Sequence, residues 1–420
     1  MPQVYLDHQS ATPVAPEVFE AMKPYFSEAF GSPSSLHQHG WRAREALAKA
    51  RAQIARLINA ASPEEILFTS GGTESANLAV KGVAYACQRQ GHHIVLSAVE
   101  HPAVLRSVEF LQKQGFTATI VEVDHSGHVD PAAVAAAITD RTTLICVHHV
   151  NHDIGTIEPI REIGQIAAER GIAFFADASA SGGWLPIDVQ AMGVQLLSLS
   201  PHRFYGPKGV GVLYRNRQAR LVGMVQGGMQ EEGRRAGTEN VPGIVGAGAA
   251  AELASRALPA RIARTTELQQ RLWQGLGQAI PHLKLNGPAP GPARLSTNLN
   301  VSPECVEGEG LMLLCDMQGV AFASGTACVS KALKTSHVLS AIGLDPESAR
   351  AAVLLSLGQT NTAHEIDDAV GVMARATAKL RAMSPAWEEF QRGRSDTKTT
   401  PAPPAKKRKK GRVVSVRRSD

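Results

Sequence analysis

The stretch that decides the fold is "LLSLSPHRFYGPKGVGVLY", residues 196–214. Two apolar runs, 196–200 and 209–214, have the composition of buried strands, and a loop rich in Gly and Pro joins them. His202 and Arg203 follow directly after the first run. Ligands bind beyond the carboxyl ends of strands in open α/β sheets, so the pattern predicts a ligand site at this loop.

Five further apolar runs resemble these two, and segments of helical length separate them. The runs are "EILFTS" (65–70), "HIVLSAV" (93–99), "ATIVEV" (118–123), "TLICVHHV" (143–150) and "IAFFADA" (172–178). Nearly continuous apolarity is typical of parallel strands covered on both faces by helices. The sequence therefore predicts an α/β fold with a mainly parallel seven-stranded sheet.

The chain length predicts more than one domain, because 420 residues exceed what a single hydrophobic core usually serves. The Gly/Ala-rich stretch 241–257 predicts the start of a long helix that leads into a second unit. We expect an N-terminal arm (1–15), a large domain (16–257), a smaller C-terminal α/β domain (258–385), and a Pro-rich linker with a basic, disordered tail (386–420).

The positive charge of the chain resides in that tail. Residues 401–420 carry eight Lys or Arg and one acid, a net +7, so the total of +5 leaves −2 for residues 1–400. A run of like charges is most often simply solvated. The alternative is a tail that binds nucleic acid or an acidic partner, with an affinity that falls as salt rises.

The remaining bulk features predict a cytoplasmic location and no membrane span. The start "MPQVYLDHQSATP" lacks the pattern of a signal peptide, and no apolar run reaches about 18 residues. The five cysteines are scattered without C-x-x-C spacing, which favours a reducing compartment and predicts neither a disulfide framework nor a metal site.

Four segments carry residues that suit chemistry. Thr73 follows a Gly pair at a predicted helix start, which is either an anion site or a plain helix cap. His101 follows a strand, and a structural histidine is the alternative there. Asp177 ends a strand as a buried acid that needs a partner. Cys328 lies in a loop of small polar residues, as either a nucleophilic thiol or an inert exposed one.

The ordered set of motifs resembles the cysteine desulfurase family of the NifS/IscS type, a branch of the class V aminotransferases. The likeness covers residues 4–380. The motifs that carry it are "VYLDHQSATPV", "FGSPSSLH", "FTSGGTES", "VEHPAVL", "HHVNHDIGTIEPI", "YGPKGVGVLY", "RRAGTENVPGIVG" and "SGTAC", in family order and spacing. The resemblance implies the fold-type I architecture of pyridoxal phosphate (PLP) enzymes.

The resemblance also implies roles for single residues. Thr73, Ser200 and His202 would contact the phosphate of PLP, and Thr238 would reach it from the partner subunit of a homodimer. His101 would stack on the cofactor ring, and Asp177 would pair with the ring nitrogen. Cys328 would attack the sulfur of the substrate cysteine, leaving alanine and a persulfide on the enzyme.

Four positions depart from the family pattern. The family's "S-G-H-K" is Ser-Pro-His-Arg here, so Arg203 replaces the lysine that forms the Schiff base with PLP. Ala180 replaces a Gln expected at the ring oxygen, and His152 replaces an Asn. Leu354 replaces the Arg expected to hold the substrate carboxylate.

Arg203 is not a chemical substitute for the lysine. Imine formation needs a neutral amine, and neutralising a lysine at pH 7 costs about 4.6 kcal/mol, which burial can supply. An arginine needs about 9 kcal/mol, and its charge is delocalised over the guanidinium group. The sequence predicts that any bound PLP is not a covalent aldimine, while Arg203 is suited to hold an anion.

Two hypotheses follow. In the first, the chain is a family member with a degenerate PLP site that serves as a sulfur or persulfide acceptor, scaffold or regulator in sulfur or iron–sulfur metabolism. The cluster of four departures around one pocket favours it. In the alternative, the chain is an active cysteine desulfurase that holds PLP non-covalently, which the retained Asp177, His101 and Cys328 favour.

Overall fold

The structure is a computed structural model that describes residues 4–324 and 335–397. Its strands form three sheets of seven, four and two strands. In chain order the strands are β1 (Val4–Tyr5), β2 (Ile66–Thr69), β3 (His93–Ser97), β4 (Thr117–Val121), β5 (Thr142–Cys146), β6 (Ala173–Asp177), β7 (Leu196–Leu199), β8 (Gly211–Arg215), β9 (Leu283–Leu285), β10 (Asn298–Pro303), β11 (Val320–Ala321), β12 (Ala323–Ser324) and β13 (Val353–Ser356).

Helices separate most of these strands. In chain order they are α1 (Pro16–Met22), α2 (Pro24–Ser27), α3 (Gln38–Leu57), α4 (Gly72–Cys87), α5 (Pro102–Gln112), α6 (Pro131–Ala137), α7 (Ile160–Arg170), α8 (Val241–Ala279), α9 (Gly308–Asp316), α10 (His337–Ala341), α11 (Pro346–Arg350), α12 (Ala363–Ala382) and α13 (Pro385–Thr397). Short 3-10 turns cover Pro63–Glu65, Pro201–Arg203 and Gln230–Gly233.

The seven-stranded sheet confirms the predicted α/β fold. Its order is β2-β8-β7-β6-β5-β3-β4, and all of the strands except β8 run in one direction. Each of the seven apolar runs in the sequence contributes one strand, with ends that differ by a few residues. The predicted long helix is α8, which begins at Val241 behind the cap Asn240.

Both faces of this sheet are buried, which explains the unbroken apolar runs. Along β5, Leu144 packs into the core on one face, whereas Ile145 packs into the core on the other. Both side chains are fully buried. Alternate residues of a strand point to opposite faces, so a strand covered on both sides must be apolar at every position.

A second core lies around the four-stranded sheet, whose order is β12-β13-β10-β9. Side chains of α8, α9 and α12 contribute to this core, as do those of β10 and β13. The chain start joins it, because β1 pairs in parallel with β11. The predicted domain limits stay predictions, and the one after residue 257 falls inside α8. Within the described residues, no helix combines the length and apolarity needed to span a bilayer.

Candidate functional site

Five strand ends converge at one edge of the large sheet. The strands β3, β5, β6 and β7 are mutually parallel, so their carboxyl ends share an edge. The strand β2 joins them there, because β8 is antiparallel to both β2 and β7. Asp177 is the last residue of β6, and shortly beyond the other four ends lie Gly71, His101, His148 and Ser200. Sequence reasoning predicted three of these five as site residues, namely His101, Asp177 and Ser200.

The first turn of α4 makes one end of the site. No described side chain caps this helix start, whose N-cap is Gly71. Gly72 lies so close to Ser200 and Ser179 that a β-carbon there would collide with both hydroxyls. The Ser200 hydroxyl donates to Ser179 Oγ at 3.1 Å. Amide groups at a helix start together with two hydroxyls form an anion site suited to a phosphate. Thr73, at the same helix start, is exposed.

The 3-10 turn after β7 fixes His202 and Arg203 beside that anion site. The His202 carbonyl accepts from the backbone N–H of Thr12 at 2.8 Å and from its hydroxyl at 2.9 Å. The indole of Trp184 donates to the Arg203 carbonyl at 2.8 Å. Burial, followed by the charges of Arg203 and Lys208, lowers the pKa of His202 to about 4. His202 is therefore neutral at pH 7, and the charge on this turn belongs to Arg203.

Asp177 ends β6 as a buried carboxylate. Its Oδ1 accepts from the Ser198 hydroxyl at 2.8 Å and from the Ser179 backbone N–H at 2.9 Å. Burial acts to raise the pKa of Asp177, but the nearby His101 and these hydrogen bonds outweigh it and leave the pKa below its ordinary value. A fixed buried anion at a strand end is suited to hold a cationic ring N–H of a ligand.

His101 caps α5, and this contact fixes its tautomer. Its Nδ1 accepts from the backbone N–H of Ala103 at 3.1 Å. The neutral ring therefore carries its proton on Nε2. Burial lowers the pKa of His101, against the opposing effect of Asp177. The His152 ring meets the His101 ring edge-on, with 5.0 Å between their centroids and 68° between their planes.

The other positions of the predicted site lie further out or outside the described residues. Thr238 is exposed and lines a cavity of about 150 Å³ together with Ser70, Gly209 and Arg235. Its contact with a partner subunit's cofactor stays a prediction. Cys328 lies outside the described residues, so its role stays a prediction.

Two of the four departures from the family pattern, Ala180 and Leu354, are buried side chains. Ala180 is 3% exposed, and Leu354 is 8% exposed on β13, where it pairs with Asn300 and with Ala323. Neither side chain can form a hydrogen bond. The polar contacts that the family pattern predicts at these two positions are absent here.

Sequence reasoning missed a buried ionic cluster beneath the site. His148 Nδ1 lies 3.0 Å from Glu100 Oε1, and its Nε2 lies 3.5 Å from Glu158 Oε1. Burial acts to lower the pKa of His148, but the two carboxylates prevail and raise it to about 10. The imidazolium is therefore held between two buried anions. The polar run "HHVNHD" after an apolar strand was the available signal in the sequence.

The segment after residue 334 is anchored to the same edge. Ser336 Oγ donates to Asp153 Oδ2 at 2.6 Å, and the His337 ring nitrogen Nε2 contacts the Glu100 carbonyl at 2.8 Å. Across the ranges that the structure describes, no group of three or more His, Cys, Asp or Glu side chains is arranged to hold a metal ion.

Comparison with known proteins assigns this geometry to a family. The model of the aminotransferase class-V family matches residues 4–368. The cysteine desulfurase IscS of Clostridium botulinum (strain Hall) is 44% identical over 394 residues, covering 94% of this chain and 99% of that protein. This chain belongs to the cysteine desulfurase family.

Further relatives and solved structures are similar to this chain over most of its length. The IscS of Dictyoglomus turgidum is 46% identical over 389 residues, covering 93% of this chain and 98% of that protein. A solved structure of a NifS-like protein superposes with a TM-score of 0.84 at 31% identity, covering 90% of this chain and 99% of that one. A structure of SspA in complex with cysteine gives 0.74 at 38% identity, covering 84% and 98%. The predicted fold class and the family resemblance are thereby confirmed.

Family membership implies PLP, and the residues present fit most of that cofactor. The crowded Gly72, the start of α4 and Ser200 fit a phosphate. The buried, ionised Asp177 fits a ring nitrogen that carries a proton. Arg203 does not fit the covalent link, because a guanidinium is not a nucleophilic amine at neutral pH.

The ionic cluster generates a prediction about stability. Replacing His148 with Met leaves two buried carboxylates without their cation, so we expect the free energy of unfolding at pH 6 to fall by about 3–5 kcal/mol. The folded pKa of about 10 lies above the unfolded value of 6.5, so the stabilisation by His148 is complete below pH 6.5 and is lost as the pH rises towards 10. The difference between wild type and His148→Met should therefore shrink with rising pH.

Urea denaturation at pH 6, 7, 8 and 9 measures this difference. The matched control is His364→Met, at a side chain that is 85% exposed. A difference between wild type and His148→Met that stays constant over this pH range would show that His148 is not charged in the folded protein.

Proposed function

We propose that this chain is a cysteine desulfurase that holds PLP without a covalent bond to the protein and passes the sulfur of L-cysteine to Cys328. The observation that carries the proposal is the retained ligand-facing edge. It keeps a buried, ionised Asp177 beside His101, and the open start of α4 against Ser200. A buried charge that has lost its ligand is costly, which argues that this edge still serves one.

The residues of this chain would bind and orient the reactants. The α4 start, Thr73, Ser200 and His202 would hold the phosphate, with Thr238 of the partner subunit of a homodimer completing that grip. Asp177 would hold the ring nitrogen, and His101 would cover one ring face. When bound, PLP supplies the electron sink for bond breaking at cysteine. Because residue 203 carries no amine, these contacts alone would hold the cofactor, with no covalent bond from the protein.

Arg203 favours a second candidate function. Because the lysine is replaced by Arg203, the chain would then be a degenerate member that accepts sulfur on Cys328, or a scaffold or regulator in iron–sulfur metabolism. The buried Ala180 and Leu354 favour it too, since each lacks the polar group that the family pattern expects. Relatives named cysteine desulfurase support the catalytic function better than this one.

Further features of the proposal rest on the sequence. We propose the division into an arm (1–15), a large domain (16–257), a small domain (258–385) and a tail (386–420). We also propose a sulfur-acceptor or iron–sulfur scaffold protein as a partner. The basic tail, residues 406–418, would either bind nucleic acid or an acidic partner or be simply solvated. The cysteine pattern supports a cytoplasmic location.

Turnover of cysteine tests the catalytic function. We expect protein loaded with PLP to release alanine from L-cysteine and to carry a persulfide on Cys328, because that thiol receives the sulfur. Alanine is measured by chromatography, and the persulfide by mass spectrometry of the intact chain. The Cys328→Ser variant should lose both. The control Cys305→Ser, at a half-buried thiol in the small domain, should keep both.

The outcomes separate the two candidate functions. Suppose that the protein binds PLP, makes no alanine, and forms a persulfide only when an external sulfur donor is added. This result would exclude catalysis and support the function as a sulfur acceptor. Alanine production that survives Cys328→Ser would contradict both.

Substitution of Arg203 by Lys tests whether the pocket brings the PLP aldehyde to residue 203. The variant gains an amine where the family pattern has one. We therefore expect PLP to dissociate from it at least ~10-fold more slowly than from wild type. A tenfold change corresponds to one additional interaction worth about 1.4 kcal/mol. Loss of cofactor fluorescence during dialysis measures both rates. The control Lys208→Arg should release PLP at the wild-type rate. Equal rates for wild type and Arg203→Lys would mean that the pocket does not bring the aldehyde to residue 203.

A further inference from the structure

The first turn of α4 carries a negative charge where the phosphate of PLP is proposed to bind. Glu74 is the third residue of this helix, and Gly71 is its N-cap. The first helical hydrogen bond runs from the Ser75 N–H to the Gly71 carbonyl at 3.0 Å, so the amides before Ser75 are the ones that this helix offers to an anion. A carboxylate in this turn is favourable for the helix dipole, but it repels a phosphate.

The same turn is open on one side and closed on the other. A β-carbon at Gly71 would meet no atom of the residues that the structure describes within 4 Å. At Gly72 a β-carbon would instead collide with the hydroxyls of Ser200 and Ser179. An anion therefore has room beside Gly71, next to a wall of two hydroxyl groups, and Glu74 is the acid that belongs to the same turn.

Arg235 is bonded to this carboxylate. Its Nε donates to Glu74 Oε1 at 2.9 Å, and its Nη2 donates to Oε2 at 3.4 Å. Oε2 also accepts from the Ser70 backbone N–H at 2.8 Å. Burial acts to raise the pKa of Glu74, but the hydrogen bonds from Arg235 and Ser70 outweigh it and leave the pKa below its ordinary value. The hydrogen bond with Glu74 in turn raises the pKa of Arg235. The pair is therefore ionised at neutral pH, and its two charges cancel.

Two more carboxylates, those of Glu231 and Glu239, lie near Arg235 and also raise its pKa. Glu231 has a cation of its own, because Arg51 donates to its two oxygens at 2.8 and 2.7 Å. The loop around Arg235 is thus rich in acids, and the charge of Glu74 is compensated through its direct bond to Arg235. Loss of that cation would leave a negative charge in the first turn of α4.

We propose that Arg235, acting through Glu74, is a positioning residue for the phosphate of PLP, because it cancels the charge that would repel this group from the α4 start. This role rests on the proposed function, in which the grip on the phosphate replaces a covalent bond to the protein. The alternative is a mechanical role. Thr238 lies three residues after Arg235, so the pair could act only as an anchor for that loop.

Substitution of each partner separates the two roles, because an electrostatic role predicts effects of opposite sign. Arg235→Gln leaves Glu74 uncompensated, so we expect the Kd for PLP to rise at least ~10-fold. Glu74→Gln removes the repelling charge and keeps an oxygen for the Ser70 N–H, so we expect the Kd to fall at least ~3-fold. The double variant has no net charge at the pair and should return to within ~3-fold of wild type. Fluorescence titration of the full-length chain with PLP measures all four values.

Two further variants serve as controls. Arg235→Lys keeps the positive charge and should bind PLP within ~3-fold of wild type, although a lysine lacks the forked geometry. Arg271→Gln breaks a similar forked pair with Asp367, whose bonds measure 2.7 and 2.6 Å, and it should bind PLP as wild type does. Higher salt should reduce the difference between wild type and Arg235→Gln, since salt screens charges that are partly exposed.

The outcomes distinguish this role from the function on which it rests. A Glu74→Gln variant that binds PLP more weakly than wild type, or a double variant as weak as Arg235→Gln, would overturn the electrostatic role and leave the pair as an anchor. If the variants follow the expected order but wild type makes no alanine, the proposed catalysis fails and this role stands. Wild-type protein that binds no PLP at saturating concentration would overturn both.

Discussion

The buried carboxylate of Asp177 places the strongest constraint on this structure. It lies at the carboxyl end of β6 in the middle of the large sheet, and it keeps its charge because Ser198, Ser179 and His101 surround it. That arrangement requires β6 and β7 to be parallel and in register, since Ser198 is the strand partner of Asp177. The parallel sheet in turn brings the ends of β2, β3 and β5 to the same edge. A single buried charge therefore depends on the sheet topology that also assembles the rest of the site.

Arg203 changes the chemistry of this edge but not its architecture. The turn at residues 201–203 is held by Thr12 and Trp184 through backbone carbonyls, which do not depend on the side chain at residue 203. A substitution of lysine by arginine is therefore tolerated structurally and preserves a positive charge. It removes the one nitrogen able to form an imine. The α4 start and Ser200 remain suited to bind a phosphate, and Asp177 remains suited to bind a protonated ring nitrogen. We therefore favour a cofactor that is held without a covalent bond.

The sequence predicted much of this arrangement because a parallel sheet has a simple pattern. Unbroken apolar runs located all seven strands, and polar residues at their ends located Asp177 and His101, whereas Ser200 was implied by the family resemblance. The ion set of His148, Glu100 and Glu158 was not predictable in this way. Glu158 lies beyond a turn, and only folding brings it within 3.5 Å of His148. The contact of Ser336 with Asp153 links residues 183 positions apart, and no local pattern encodes such a pair.

The structure shows the surroundings of His152 and Asp153, which the sequence motif does not reveal. The "VNHDIG" motif shows only that His152 replaces an Asn. In the structure the His152 ring lies between the rings of His101 and His337. The side-chain amides of Asn298 and Asn300 on β10 donate to the backbone carbonyl of Asp153, and β10 belongs to the other sheet. The site is thus a product of two sheets that meet, whereas motif spacing describes each segment separately.

Chemical trapping of the cofactor tests the central claim most directly. Wild-type protein saturated with PLP is weighed as an intact complex by native mass spectrometry, then reduced with borohydride, digested and searched for pyridoxyl-modified peptides. The account predicts one PLP per chain before reduction and no modified lysine at the site afterwards. A pyridoxyl group on a specific lysine, or no retained PLP at saturating concentration, would contradict it.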